Sequence, residues 1–79
     1  MAHLRKYTAE NGLKYFDPKC VDGIDVTAAG QFSKIITIHL ISGGDAIHLT
    51  VLYNVNIEAW VQTNIIDIAG ENPDITGCL

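Results

Sequence analysis

Residues 47–65 read IHLTVLYNVNIEAWVQTNI. The odd positions are Ile47, Leu49, Val51, Tyr53, Val55, Ile57, Ala59, Val61, Thr63 and Ile65, and all but Thr63 are apolar. Between His48 and Asn64 the even positions hold only Leu52 and Trp60 as apolar residues. Side chains alternate across a strand with a period of two, so this run reads as β-structure with one buried face. Strands in globular proteins rarely exceed about 10 residues, so the run must bend. Asn54-Val55-Asn56 is the natural place, because Asn tolerates turn conformations. A three-residue loop there keeps odd residues opposite odd ones. It pairs Tyr53 with Ile57, Val51 with Ala59 and Leu49 with Val61.

Working back from this run, Ser33 to Ile41 leads into Ser42-Gly43-Gly44-Asp45 and then into Ala46 to Tyr53. A tight Gly43-Gly44 turn pairs Ile41 with Ala46, Leu40 with Ile47, His39 with His48, Ile38 with Leu49 and Thr37 with Thr50. The result is a three-stranded antiparallel meander. Its expected core is Ile36, Ile38, Leu40, Ile47, Leu49, Val51, Ile57, Val61 and Ile65.

Residues 57–69 also support a competing description as a helix packed on the sheet. Asn56 suits an N-cap and Gly70 the position after the last turn. Ile57, Trp60, Val61, Ile65 and Ile68 would form one apolar stripe. Six β-branched residues in these thirteen lower helix propensity, and Asp67 would sit near the negative end of the helix dipole. We therefore favour strand here, with the helix as the alternative.

Upstream, Asn11-Gly12 is a strong hairpin signal. With these two residues at the turn centre, Thr8 pairs with Tyr15, Tyr7 with Phe16 and Lys6 with Asp17. Asp17-Pro18 ends that hairpin, and Ile24, Val26 and Ala28 alternate with polar residues as a short strand. The expected fold is mainly β: a small antiparallel sheet or barrel of five to six short strands. An α+β form with one C-terminal helix at about 57–69 is the variant.

On the meander's second face, the paired rows are Ile35, Leu52 and Glu58; Thr37, Thr50 and Trp60; and His39, His48 and Gln62. This face is neither fully polar nor fully apolar, so it is expected to meet something. Its interface or binding candidates are Thr37, His39, His48, Thr50, Trp60 and Gln62. Opposed imidazoles would repel when both are protonated, making such a contact pH-dependent. A metal is not expected, because a zinc site needs at least three protein ligands and Gln62 is a poor third. Trp60 is the only tryptophan, and tryptophan is enriched at binding hot spots.

The chain has 79 residues, 48% of them apolar and 18% charged, with a formal charge of -4. That length suits a single domain, 1–79, and excludes Rossmann and TIM-barrel enzymes. Globular proteins average about 25% charged residues. A small domain with fewer is expected to cover apolar surface with another copy of itself or with another protein. Residues 1–20 carry +2 and residues 21–79 carry -6. Five basic groups against nine acidic ones argue against nucleic acid. The same lopsidedness suits a weak head-to-tail contact between copies.

No apolar span is long enough for a transmembrane helix, and no signal peptide follows Met1, so neither a membrane nor an export route is expected. Cys20 and Cys78 read as two reduced thiols in a cytoplasmic protein, with a Cys20–Cys78 disulfide as the alternative. No GxSxG, HExxH, Walker A or GxGxxG pattern occurs. Asp74-Ile75-Thr76-Gly77 is a loop, and Asp22 and Asp25 are solvated. No catalytic residue, metal or cofactor is therefore assigned. The expected function is a non-enzymatic interaction or assembly protein acting as a homo-oligomer. The alternative is a small-molecule binding protein or small enzyme with its site on the His39, His48, Trp60 and Gln62 face.

Overall fold

The computed structural model describes residues 4–71 and Cys78. Five strands form two antiparallel sheets, and one helix follows them. Strands β1 (Arg5–Ala9) and β2 (Gly12–Phe16) make a hairpin. Strands β3 (Val21–Ala28), β4 (Ser33–Leu40) and β5 (Ile47–Leu52) make a meander in that order. Helix α1 runs continuously over 57–71 as Ile57–Val61, a π-helical stretch Gln62–Ile66, and Asp67–Glu71. Among the described residues no helix is long and apolar enough to cross a membrane.

The α+β form is therefore the correct one, and the strand expected at 57–65 is a helix. Asn56 begins it: its side chain accepts a hydrogen bond from the Ala59 N–H at 3.2 Å, as an N-cap does. Tertiary burial of one face outweighs the weak propensity of the β-branched residues. Ile65 is buried and Ile57, Trp60 and Val61 pack beside it, while Ala59 and Thr63 are exposed. The third strand of the meander is instead β3, on the other side of β4.

Both hairpins are shifted by two residues from the expected pairing. In the meander Ile38 faces Ile47, Ile36 faces Leu49 and Thr37 faces His48. Residues 41–46 lie outside the ladder, with Gly43 and Gly44 at φ +81° and +83°. The end of β4 turns to its other neighbour: Leu40 pairs with Val21, and the Ile41 N–H donates to Cys20 O at 2.8 Å. In the N-terminal hairpin Glu10 and Asn11 form the turn, and Ala9 faces Gly12, which takes φ +121°. Tyr7 thus faces Lys14 and Lys6 faces Tyr15. Tyr7 and Phe16 still meet, as a diagonal stack with ring centroids 4.2 Å apart.

A shift of two preserves which face each residue occupies. The core accordingly holds the expected Ile36, Ile38, Leu49 and Ile65 as buried residues, with Leu40, Ile47, Val51, Ile57 and Val61 packed against them. The hairpin adds Tyr7 and Phe16, and the helix adds Trp60.

Cys20 and Cys78 are buried and joined by a disulfide, with Cα atoms 5.3 Å apart. This corrects the expectation of two reduced thiols. Asp17 caps the short 3₁₀ turn Pro18–Cys20 by accepting from the Lys19 N–H at 3.1 Å, which carries Cys20 into the interior. Residues 74–77 lie outside the described residues.

Candidate functional site

The six candidate residues divide between two places. Thr37, His39, His48 and Thr50 lie on the outer face of the meander. Trp60 and Gln62 belong to α1, which packs on the opposite, inner face.

On the outer face the cross-strand rows are Asp25, Thr37 and His48; Thr27, Ile35 and Thr50; Gly23 and His39; and Ser33 and Leu52. The register shift means that His39 and His48 are not directly opposed. His48 Nδ1 shares a hydrogen bond with Thr37 Oγ1 at 3.2 Å. His39 Nε2 donates to Asp25 Oδ2 at 2.9 Å, and those two side chains are 48% and 73% exposed. Each imidazole therefore has its own partner, and the expected repulsion between facing imidazoles loses its geometric basis.

A hydroxyl beside an imidazole, or an imidazole beside a carboxylate, is the raw material of nucleophilic or acid–base chemistry. Here both pairs are exposed on a sheet face. Catalytic pairs draw their strength from water exclusion and from donors aimed at a developing charge. Among the described residues no three His, Cys, Asp or Glu side chains are grouped to hold a metal.

Trp60 is half-buried, its ring 6.0 Å from that of Tyr7 and tilted by 52°. It joins Tyr7 and Phe16 on the inner side, and not the second face of the meander where the sequence pattern places it. Two side chains meet carbonyls in and just before the π-helical stretch. Asn64 Nδ2 donates to Trp60 O at 3.0 Å, and the Tyr7 hydroxyl donates to Asn64 O at 2.9 Å. A π turn shifts each carbonyl's backbone donor by one residue, as in Asp67 N–H to Gln62 O.

Burial holds the Tyr7 hydroxyl above its ordinary pKa of 10.0; the Arg5 charge opposes this and the Asp17 charge adds to it. The neutral form is favoured in the fold. Its stabilisation is complete below the unfolded-state pKa and is lost as pH rises through the higher folded value. Tyr7→Phe is expected to lose about 1 kcal/mol at pH 7, the value of one hydrogen bond. Urea midpoints should show the gap between variant and parent narrowing near pH 11, above the ordinary tyrosine range. A gap of the same size at both pH values would contradict this coupling.

Two concave regions are lined by described residues. A groove of about 380 Å³ lies between β3 and α1, lined by Ile24, Val26, Ile57, Glu58, Val61, Gln62 and Ile66. Gln62 Nε2 donates to Asp67 Oδ1 at 2.7 Å on its rim. A smaller cleft of about 190 Å³ beside the disulfide is lined by Leu4, Tyr15, Phe16, Asp17, Cys20, Leu40, Ser42 and Cys78. Neither includes the outer-face quartet.

The exposed large apolar side chains gather in three places. Leu4, Leu13 and Tyr15 belong to the N-terminal hairpin region, and Val26 and Ile66 line the groove. Phe32, Leu52 and Tyr53 stand at the far end of the meander, where the Phe32 and Tyr53 rings meet edge-on at 6.1 Å. Sequence reading missed these clusters. Ile66 falls outside the expected helical stripe and Phe32 sits in a turn, and such out-of-pattern apolar residues were the available signal.

Comparison with protein-family models, with curated proteins and with solved structures finds no match for this chain.

Proposed function

We propose that this chain is a non-enzymatic interaction protein that assembles with copies of itself. One observation carries the proposal. Among the described residues, eight large apolar side chains are exposed, from Val26 at 42% to Leu4 at 67%. Scattered apolar side chains are normal on a surface, whereas gathered ones mark contact sites. With 18% charged residues, the chain has fewer charges than the usual quarter to offset them.

Its net charge of -4 argues against nucleic acid as the partner. The outer-face quartet Thr37, His39, His48 and Thr50 is a polar surface available to the same assembly. The disulfide supports a working environment in which disulfides persist, in place of the cytoplasmic setting that two free thiols would suit.

The test is the solution mass by light scattering across a concentration series, with the disulfide intact. The expected result is a mass that is a multiple of 8.6 kDa. A single-chain mass at every concentration up to about 1 mM, the range of weak association, would overturn the proposal.

A further inference from the structure

We infer that the copies join head to tail, the outer face of the β1–β2 hairpin of one molecule seating in the β3–α1 groove of the next. This rests on the self-assembly reading above and names its surfaces.

The two surfaces are complementary in character. The hairpin pairs Lys6 with Tyr15 and Thr8 with Leu13, so these four share its outer face. All four are exposed, with Leu13 at 54% and Tyr15 at 57%. This is an apolar surface with a cation beside it, in a hairpin that holds three of the five basic residues. The groove offers Val26, Ile57, Val61 and Ile66 as its apolar lining. Its charged lining group is Glu58, and Asp67 stands beside it through Gln62. An apolar centre with opposite charges at its rim is how protein contacts gain both adhesion and orientation.

The hairpin cannot reach its own groove. Its turn is fastened to β5, through Glu10 N–H to Thr50 O at 2.9 Å and Asn11 Nδ2 to His48 O at 3.0 Å. The groove borders β3, at the other edge of the β3-β4-β5 sheet. Two strand spacings, roughly 10 Å, separate those edges. The contact is therefore between molecules, and joining two different surfaces it closes as a reciprocal pair or larger ring, or extends as an open chain.

Two double variants test this at exposed positions. Leu13→Ser/Tyr15→Ser spoils the hairpin face and leaves the groove. Val26→Lys/Ile66→Lys spoils the groove and leaves the hairpin. Circular dichroism establishes that each is folded, and the single variants Tyr15→Ser and Ile66→Lys replace any double variant that is not. Each variant alone should read as one chain of 8.6 kDa by light scattering. An equimolar mixture should form a two-chain species and nothing larger, since one good hairpin meets one good groove.

Folded variants that keep the parent's assembled mass would overturn the head-to-tail contact while leaving self-assembly intact. So would a mixture that stays single-chain. A parent protein that is single-chain at every concentration would overturn both.

Discussion

Reducing the Cys20–Cys78 disulfide is expected to remove about 4 kcal/mol of stability. The bond closes a loop spanning a sequence separation of 58, which encloses most of the chain. Opening it restores that much conformational freedom to the unfolded state. A domain of this length stands on roughly 4–12 kcal/mol in total, so the bond supplies about a third of it or more. The native state also loses an anchor. Cys20 accepts the Ile41 N–H at 2.8 Å, and the end of α1 packs against the Pro18–Cys20 turn. Urea unfolding with and without a reductant measures the effect, and Cys20→Ser without reductant should reproduce it. An unchanged midpoint in both would show that the bond contributes nothing to the fold.

Leu49→Ala should cost about 2–5 kcal/mol, the range for emptying a buried leucine site. Leu49 is 1% exposed and stands opposite Ile36, which is fully buried, in a row completed by Val26. Leu52 lies three residues along the same strand, has the opposite parity and is 48% exposed. Leu52→Ala should therefore change stability by no more than about 0.5 kcal/mol. The pair makes a controlled comparison, since the chemical deletion and the strand are the same. Equal losses at the two positions in thermal melts would mean that the inner and outer faces are wrongly assigned.

Parity is the part of this fold that the sequence carries well. Burial specifies which face a strand residue occupies, so a slip by one residue is strongly resisted. A slip by two costs nothing in that pattern, and both hairpins differ from expectation by two. What selected the true registers is non-local. Leu40 and Ile41 pair with Val21 and Cys20, and Asn11 is engaged by β5. The helix was hidden for a related reason. Ile57, Val61 and Ile65 are spaced by four, which satisfies a period of two and a period near 3.6 alike. Trp60, the apolar residue that broke the alternation, was the discriminating one.

The outer-face quartet was legible because parity alone places Thr37, His39, His48 and Thr50 together. Their hydrogen-bond partners were not, since those depend on the register. The groove was invisible in principle. It exists because α1 crosses the inner face and leaves Val26 partly uncovered, and no local pattern encodes that gap.

Asn11 has a consequence for how the protein avoids aggregation. Its side-chain amide donates to His48 O and accepts from Thr50 N–H at 3.2 Å, while Glu10 N–H occupies Thr50 O. These are the backbone groups through which an incoming strand would dock on β5. A single amide side chain thus imitates a strand and terminates the sheet on that side. Cross-β growth needs two open edges per molecule, one to receive and one to offer. A meander blocked at His48 and Thr50 on its β5 side leaves β3 as the edge of that sheet on which a further strand can pair, so growth of this sheet from both sides is interrupted.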